Sequence, residues 1–375
     1  MSRVYNFWKK LGNKIDLIFV VVFVVLLFVP MSHISRAEKS KTENRMLAKL
    51  PELIVDGAIN ERYGSEFNDY FQDRFNGRKR LLKIYSRFHA MFSSDNEKVL
   101  TGTDGWLFYK LDSSLDNFQN KTLFSEEELA YIAKYLSDID NWAKQNGKSF
   151  YYFVAPDKNK IYGENIKTLK KLRPDTESRI NQLVEYLQKN TSVNVVYLYD
   201  VIMSKKPQGL LYYKNDTHWN DFGAYFGYQE MMNKIQKQYK TIQAVSYDKI
   251  ESTQKLRGDL TKMLGESGQE DTTEYLLPVI KNTSVCEYNV SENEERKGML
   301  CKNTNKKLKV FMLRDSFTTA LRKYLNNTFN SIKYEWRYNI TGDDLKYITD
   351  NSDIIILEQV ERYVPQLLNY KFPMD

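Results

Sequence analysis

The hydrophobic pattern of this chain begins with one long apolar run. Residues 17–29 contain no charged or polar side chain, and the segment 15–34 has about the 20 residues that a bilayer-spanning helix needs. Four basic residues precede the run: Arg3, Lys9, Lys10 and Lys14. Because basic residues are retained on the cytoplasmic side, we predict a signal anchor with everything after it exported.

Two other interpretations of this run are less favoured. A cleaved signal peptide would need a small-residue cleavage site, and residues 31–35 (MSHIS) lack a clean one. The chain also offers no cysteine near the run for lipidation. A buried soluble helix is less favoured still, since so long an apolar run is unusual at an extreme terminus. We therefore prefer an uncleaved anchor.

A polar stretch follows and leads into an amphipathic helix. Residues 36–60 are polar and charged, as expected of a stalk leaving a membrane. Phe67, Phe71 and Phe75 recur every four residues, and this spacing predicts a helix. The stripe continues beyond Gly77, which we expect to bend or split the helix, through Leu82, Tyr85 and Phe88. His89 lies on this stretch and is assigned to packing or to the surface.

Strand and helix patterns then alternate along the chain. Residues 102–109 contain a tight Asp-Gly turn followed by a strand. Helices are predicted from the capping box of Ser125 and Glu128, around 176–188, after Asn220 or Asp221, and after Ser316. Buried strands are predicted at 149–154, 193–199, 308–313 and 353–357. The alternation predicts an α/β fold, with a mostly parallel sheet and helices on both faces.

Residues 240–306 interrupt the alternation and are interpreted as an insertion. They are polar and contain both cysteines, Cys286 and Cys301, which lie 15 positions apart. Outside the cytoplasm, a local disulfide is the favoured interpretation. A metal site would need more ligands than two cysteines and three scattered histidines supply.

Composition adds little to this picture. The 375 residues are 42% hydrophobic and 27% charged, so a folded protein is expected rather than a disordered one. The formal charge of +7 arises from 55 basic and 48 acidic residues spread along the chain. A lysine-rich solvated surface explains it more simply than attraction to anionic lipid or an acidic polymer. No nucleic-acid module accompanies the charge, and no nucleic-acid partner is predicted.

Candidate chemistry is concentrated in two short segments. Ser316 follows the strand at 308–313 and precedes a predicted helix, so its hydroxyl is expected at the edge of the sheet where ligands bind. Its N–H then lies at a helix N-terminus, where an oxyanion is favoured. The simpler alternative is that Asp315 or Ser316 merely caps the helix.

Asp216 and His218 form the second segment, in a loop before a helix. A carboxylate two residues from an imidazole can hold one ring nitrogen and leave the other free to accept a serine proton. The chain contains only three histidines, so His218 has few rivals as a base. A hydrogen-bonded turn histidine is the simpler alternative, and metal ligation is the least favoured.

Taken together, these segments resemble the SGNH-hydrolase-like O-acetyltransferases of the alginate-acetylation type, the DHHW family. The motifs that carry the resemblance, in chain order, are Glu43-Asn44-Arg45, Phe71-Gln72-Asp73-Arg74-Phe75, Gly105-Trp106-Leu107-Phe108-Tyr109, Pro156-Asp157-Lys158, Asp216-Thr217-His218-Trp219, Asp315-Ser316-Phe317 and Glu358-Gln359-Val360-Glu361-Arg362. Two positions depart from the family pattern. Thr217 replaces the second letter of DHHW, and Arg314 stands where many SGNH enzymes have glycine.

The resemblance implies an SGNH-like three-layer sandwich and a set of roles. Ser316 would carry the acetyl group, His218 would be the general base and acid, and Asp216 would orient the imidazole. No cofactor and no metal are implied. The chain is accordingly divided into 1–35 (cytoplasmic N-terminus and anchor), 36–95 (stalk and helical lead-in) and 96–375 (catalytic domain with the insertion at about 240–306).

The predicted function is therefore acetyl transfer, through a Ser316 ester, to hydroxyls of an extracytoplasmic polysaccharide. The resemblance implies a membrane-bound O-acyltransferase as acetyl supplier and places the enzyme at the bacterial cell membrane, with its catalytic domain periplasmic or extracellular. Two alternatives remain open. One is an acetylesterase using the same three residues, and the other is a non-catalytic glycan-binding assembly protein. Trp219 and nearby tyrosines are candidates for stacking on sugar rings, although packing is their commoner use.

Overall fold

In the computed structural model the chain divides into two compact units, Met1–Asn96 with Lys262–Ser267 and Glu97–Thr261 with Gly268–Asp375. The structure describes residues 18–24, 28, 34–36, 39–40, 45–55, 58–60, 62–75, 77–78, 80–81, 97–166, 177–264, 270–288 and 298–373. The part of the predicted helical lead-in from Leu82 to Phe88, together with His89, lies outside these residues.

The predicted membrane anchor is described only in part. Of the segment 15–34, the structure describes 18–24, 28 and 34, and residues 18–24 are helical. None of the helices within the described ranges has both the length and the apolar character needed to cross a membrane. The rest of the predicted anchor lies outside those ranges.

Beyond the helical residues 18–24, the described part of the first unit contains short strand pairs and a longer helix. The elements are β1 (Lys39–Ser40), β2 (Arg45–Met46), β3 (Ile54–Val55), β4 (Ala58–Ile59) and α1 (Tyr63–Arg74). The helix ends at Arg74, whose buried guanidinium donates to the carbonyl oxygens of Ala48 (2.7 Å) and Ser35 (3.0 Å). Gly77 follows at φ 79°, a backbone conformation that glycine adopts without strain.

The second unit is an α/β sandwich. Its strands are β5 (Val99–Thr101), β6 (Leu107–Tyr109), β7 (Ser149–Ala155), β8 (Asn194–Tyr197), β9 (Lys249–Gln254), β10 (Glu274–Val279), β11 (Val285–Tyr288), β12 (Met299–Lys302), β13 (Lys309–Leu313), β14 (Ser331–Glu335) and β15 (Ile354–Val360). Its helices are α2 (Ser114–Phe118), α3 (Glu126–Gln145), α4 (Lys158–Ile161), α5 (Arg179–Asn190), α6 (Tyr199–Lys205), α7 (Asp221–Gln236), α8 (Asp259–Leu264, which continues into the first unit), α9 (Thr318–Thr328) and α10 (Gly342–Asn351). Short 3-10 helices cover Gly163–Asn165, Lys206–Gln208 and Glu361–Asn369.

Within the described residues, seven strands form the main sheet, in the order β11-β12-β14-β13-β15-β7-β8. The five strands from β14 to β8 pair in parallel, whereas β11 and β12 pair antiparallel. The prediction of a mostly parallel sheet is therefore corrected to a mixed sheet. The reason is that the polar stretch with the two cysteines folds into a hairpin that extends the sheet edge, and its cross-strand neighbours Cys286 and Cys301 form a disulfide.

Side-chain alternation along the buried strands builds a core on each face of the sheet. Along β7, Tyr151 and Phe153 enter one core, with α7 and α9, while Phe150 and Tyr152 enter the other, with α3, α5 and α10. Successive side chains of a strand point to opposite faces, so a strand buried on both sides reads as a continuous apolar run. The two cores make the unit a three-layer sandwich.

Helix starts follow the local chemistry of the sequence. The Ser125 hydroxyl accepts from the Glu128 N–H, and the Glu128 carboxylate accepts from the Ser125 N–H, which confirms the predicted capping box. The Asn220 side chain caps α7 by accepting from the Gly223 N–H at 2.9 Å. That cap fixes where the candidate Asp-x-His loop ends.

Candidate active site

The parallel strands bring several polar segments to one edge of the sheet. Lys158 follows β7, Ser316 follows β13 and Arg362 follows β15. Because β15 pairs in parallel with β13 on one side and with β7 on the other, the carboxyl ends of the three strands lie at the same edge of the sheet. Ligands of open α/β sheets bind outside this edge, so the candidate site lies where such folds place their chemistry.

Ser316 sits in a turn that its neighbour Asp315 holds. The buried Asp315 carboxylate accepts from the N–H groups of Phe317 (2.8 Å) and Val360 (2.7 Å) and from the Tyr338 hydroxyl (3.0 Å). Asp315 therefore supplies the local turn bond that sequence reasoning assigned to either residue. The Ser316 hydroxyl is left for another partner, and α9 begins two residues later, at Thr318.

The Asp216–His218 loop is a tight hairpin fixed at both ends. Tyr212 and Trp219 form an isolated antiparallel bridge, and the Asn220 N–H donates to the Leu211 carbonyl at 2.9 Å. The Trp219 indole N–H donates to the carbonyl of Phe317 at 2.9 Å. That bond ties the loop directly to the Ser316 turn. Trp219 is fully buried, so the structure assigns it to packing and not to stacking on a sugar.

The structure brings the three predicted site residues within hydrogen-bond distance. His218 Nε2 lies 2.6 Å from Ser316 Oγ, and His218 Nδ1 lies 2.7 Å from Asp216 Oδ1. A carboxylate can only accept, so in the neutral imidazole Nδ1 carries the proton and Nε2 accepts from the serine hydroxyl. Of the three histidines, His33 and His89 lie outside the described residues.

Electrostatics favour an ionised Asp216. Burial raises the pKa of this carboxyl, but His218 and the Lys255 ammonium, 2.8 Å from Asp216 Oδ2, hold the pKa well below its usual range. The Asp259 N–H also donates to Oδ2, at 3.1 Å. Both oxygens of the Asp216 carboxylate thus face hydrogen-bond donors, and these contacts fix the plane of the carboxylate relative to the imidazole.

The same neighbours prepare His218 to take up a proton. Burial lowers the pKa of the imidazole, but the Asp216 charge, the hydrogen bond to Asp216 and the Asp259 charge together raise it above the usual value. A raised pKa means that the positively charged ring is stabilised in place. An imidazole in this environment can act as a general base toward the Ser316 hydroxyl.

Lys158 supports the Asp216–His218 loop. Sequence analysis assigned no role to this lysine. Its buried ammonium donates to three loop carbonyl oxygens, those of Tyr213 (3.2 Å), Lys214 (3.0 Å) and Asp216 (2.6 Å). Burial lowers the pKa of Lys158 to about 7. The only sequence signal was a lysine placed just after a buried strand, in the Pro156-Asp157-Lys158 motif.

Arg314 occupies the position where the resemblance would place glycine. Its side chain is buried, with the guanidinium carbon 4.2 Å from the centre of the Trp336 ring. One guanidinium nitrogen donates to the Asp315 carbonyl (3.1 Å) and to Thr319 Oγ1 (3.4 Å). Burial lowers the pKa of Arg314 to about 10. The arginine therefore bonds the backbone just before Ser316 and a side chain in the first turn of α9.

A buried ion pair lies under the Ser316 turn. The Arg362 guanidinium donates to Asp157 at 2.6 Å, and its carbon lies 5.3 Å from the centre of the Phe317 ring. Both charged side chains are almost inaccessible to solvent. Removing one member would leave the other charge buried and unpaired, which costs far more than the pair itself contributes.

Replacing Arg362 with methionine is therefore expected to lower the free energy of unfolding by about 3–5 kcal/mol. Urea denaturation of the purified full chain, followed by intrinsic fluorescence, measures this change. The matched control is Lys346→Met, since the ion pair of Lys346 with Asp343 is almost fully exposed. That control should stay within about 0.5 kcal/mol of the parent. Equal effects of the two substitutions would contradict the prediction.

Three ligand-type groups cluster at the site, but their donor set fits a hydrogen-bonded cluster better than a metal. Atoms of Asp216, His218 and Asp259 lie within 4.8 Å of one another, and they are the one such group in the part of the chain that the structure describes. The Lys255 ammonium contacts Asp216 Oδ2, and His218 Nδ1 is directed at Asp216 Oδ1. A cation would have to displace that ammonium and the Nδ1 proton.

Comparisons with known proteins agree with this fold. A family model described as "SGNH hydrolase-like domain, acetyltransferase AlgX" matches residues 99–336. No curated protein matches the chain.

Three solved structures illustrate the likeness. PatB1 of Bacillus cereus with a sulfonyl adduct is 17% identical with a TM-score of 0.51, covering 71% of this chain and 97% of that chain. A second structure of PatB1 is 18% identical with a TM-score of 0.50, covering 72% and 97%. The O-acetyltransferase domain of Pseudomonas putida AlgJ is 16% identical with a TM-score of 0.48, covering 71% and 92%.

At 17% and 18% identity, the PatB1 structures support the fold alone. The family match is stronger, because it spans well over half of the 375 residues and includes both candidate segments. It also extends from β5 to the residue after β14, and so covers most of the main sheet. The chain therefore belongs to the family of the SGNH hydrolase-like domain, acetyltransferase AlgX.

Proposed function

We propose that the protein is a membrane-anchored O-acetyltransferase that moves acetyl through a Ser316 ester to hydroxyls of an extracytoplasmic polysaccharide. One observation carries the proposal: the hydrogen-bonded chain of Asp216, His218 and Ser316 at the carboxyl edge of the parallel strands. Membership of an acetyltransferase family supports the reaction class. Polysaccharide acetylation is the function that the alginate-type resemblance implies.

In the first half-reaction, Ser316 Oγ attacks the carbonyl carbon of an acetyl ester as its proton passes to His218 Nε2. Asp216 stabilises the resulting imidazolium through the bond to Nδ1. The Ser316 N–H, two residues before the first residue of α9, is the proposed donor to the oxyanion that forms. His218 then returns the proton to the departing oxygen, leaving acetyl on Ser316 and the donor as a free alcohol.

In the second half-reaction, His218 takes the proton of a sugar hydroxyl, and the sugar oxygen attacks the Ser316 ester. The proton returns to Ser316 Oγ as its bond to the acetyl carbon breaks. The product is an acetylated sugar and the starting enzyme, so no cofactor enters the balance. A membrane-bound O-acyltransferase is the proposed acetyl supplier.

The proposed setting is the outer face of the bacterial cell membrane. Residues 1–35 would provide the cytoplasmic N-terminus and anchor, 36–95 the stalk and helical lead-in, and 96–375 the catalytic domain. Two observations support export. The basic residues before the apolar run favour a cytoplasmic N-terminus, and the Cys286–Cys301 disulfide is typical of an oxidising compartment.

The direct test is mass spectrometry of the full chain after exposure to p-nitrophenyl acetate. We expect the peptide containing Ser316 to gain the mass of one acetyl group, and the Ser316→Ala protein to show no such gain. Acetyl on other residues only would contradict the proposal. Supplying acceptor glycan then separates the two reaction types. Acetylated glycan supports a transferase, whereas free acetate at an unchanged rate indicates an esterase.

A further inference from the structure

A second carboxylate, Asp259, lies beside the imidazole and contacts the same loop. The Asp259 N–H donates to Asp216 Oδ2 at 3.1 Å, and Asp259 Oδ2 lies 3.7 Å from His218 Nδ1. Asp259 is the first residue of α8, within the polar stretch 240–306 that sequence analysis set apart as an insertion. A segment outside the two candidate motifs therefore reaches the imidazole.

Thr217 connects this carboxylate to the loop through both of its donors. The Thr217 N–H donates to Asp259 Oδ1 at 2.8 Å, and the Thr217 hydroxyl donates to Asp259 Oδ2 at 2.5 Å. The same hydroxyl oxygen lies 3.2 Å from His218 Nδ1. Thr217 is the position where the chain departs from the DHHW pattern. In this chain the threonine places a hydroxyl between the Asp259 carboxylate and the His218 imidazole.

The segment that carries Asp259 is fastened tightly to the loop. The Asn215 side-chain amide donates to the carbonyl oxygens of Lys255 (2.8 Å) and Leu256 (3.3 Å). At Gly258 the backbones approach so closely that an added Cβ would lie 2.0 Å from the Asn215 carbonyl oxygen. Only glycine permits that approach, so the position of Asp259 is built into the fold.

We propose that Thr217 and Asp259 form a positioning pair that fixes the orientation of the His218 imidazole and places a second negative charge beside it. The proposal rests on the function proposed above, in which His218 relays the proton of Ser316. Asp259 does not touch the reacting atoms. Asp259 acts on the imidazole through its hydrogen bonds with Thr217 and through the electrostatic effect of its negative charge.

The charges around His218 determine the direction in which the pKa of the imidazole changes. The groups facing His218 are Asp216 and Asp259, which raise the pKa of the imidazole, and Arg362, which lowers it. The Lys255 ammonium contacts Asp216 Oδ2, the oxygen that His218 does not contact. It is present whether or not residue 259 is charged. Removing the Asp259 charge should therefore lower the pKa of His218. Since the base must be neutral to accept a proton, the acid limb of the rate profile should move to lower pH.

The first test is NMR titration of the histidine signals of the full chain in detergent. The chain has three histidines, so the His218→Gln protein assigns the relevant signal. We expect Asp259→Asn to lower the pKa of His218. Glu251→Gln is the charge-matched control, since it removes an exposed carboxylate paired with Lys249, and it should leave that pKa unchanged. No shift with Asp259→Asn, or equal shifts with both, would overturn the proposal.

The second test separates positioning from packing, by kinetics with an acetyl ester. Thr217→Val keeps the size of the side chain but removes the hydroxyl, and it should lower kcat about 10- to 100-fold with KM little changed. Thr217→Ser restores the hydroxyl and should recover most of the rate. A serine variant as slow as the valine variant would assign Thr217 to packing alone and overturn its role in the pair.

Failure of this inference and failure of the proposed function are distinguishable. The titration of His218 needs no turnover, so it reports on the Asp259 charge even in a protein that acetylates nothing. If the pKa shifts while Ser316 never gains acetyl, the electrostatic pair stands and the transferase proposal fails. If Ser316 is acetylated but neither variant changes the pKa or the rate, the pair fails and the transferase proposal stands.

Discussion

Replacing Ser316 with alanine is expected to remove acetyl transfer, lowering kcat by about 10³- to 10⁶-fold while the protein stays folded. The reason is that no other oxygen lies at hydrogen-bond distance from His218 Nε2 among the described residues. Without the hydroxyl, no ester can form and the two half-reactions cannot be linked. Acetylation of glycan by the full chain in the membrane measures the loss.

The fold should tolerate the Ser316 substitution. The bonds that shape the turn run from Asp315 to Phe317, Val360 and Tyr338, and alanine removes none of them. Ser204→Ala is a suitable control, because the Ser204 hydroxyl is exposed on α6 and bonds only its own helix. Its activity should match that of the parent. Normal acetylation by the Ser316→Ala protein would instead favour a glycan-binding role.

Replacing Asp216 with asparagine is expected to lower kcat by about 10⁴-fold, a loss of the size known for the equivalent change in a serine protease. Both oxygens of Asp216 face donors: His218 N–H and Nδ1 on one side, Lys255 and the Asp259 N–H on the other. An amide NH₂ therefore meets a donor wherever it points. If it faces His218, Nδ1 must become the acceptor and Nε2 carries the proton.

That tautomer cannot accept the Ser316 proton, so the effect should fall on the chemical step and leave substrate binding nearly intact. Steady-state kinetics with an acetyl ester should show a lower kcat at a similar KM. Asp200→Asn, an exposed change on α6, serves as control. An unchanged rate in the Asp216→Asn protein would remove this carboxylate from the mechanism.

Much of the fold was predictable because its signals are local. Short apolar runs indicate the buried strands, and capping residues indicate the helix starts. The structure confirms the caps at Ser125 and Asn220. The mixed character of the sheet was not predictable in the same way. Whether residues 285–288 and 299–302 pair with each other and with β14 depends on contacts across the chain, not on their own pattern.

The candidate site shows the same division. Asp216, His218 and Ser316 were singled out from residue type, from the scarcity of histidine and from the family resemblance, and their catalytic roles stay predictions. Lys158, Lys255 and Asp259 received no role, because a lysine after a strand or an aspartate in a polar stretch is common and has no distinctive pattern. Their contacts with the loop exist only once distant segments have packed together.

By itself the sequence determined the α/β alternation, the ends of several helices and the residue types available for serine chemistry, since propensity, capping and periodicity act over a few neighbouring residues. Only the tertiary structure decided that residues 98 positions apart meet at 2.6 Å, and that a segment of the supposed insertion sets a second carboxylate beside the imidazole. The physical reason is that parallel pairing and core packing join positions that no local pattern relates. A hydrogen-bonded site is complete only where those joined positions supply every donor and acceptor.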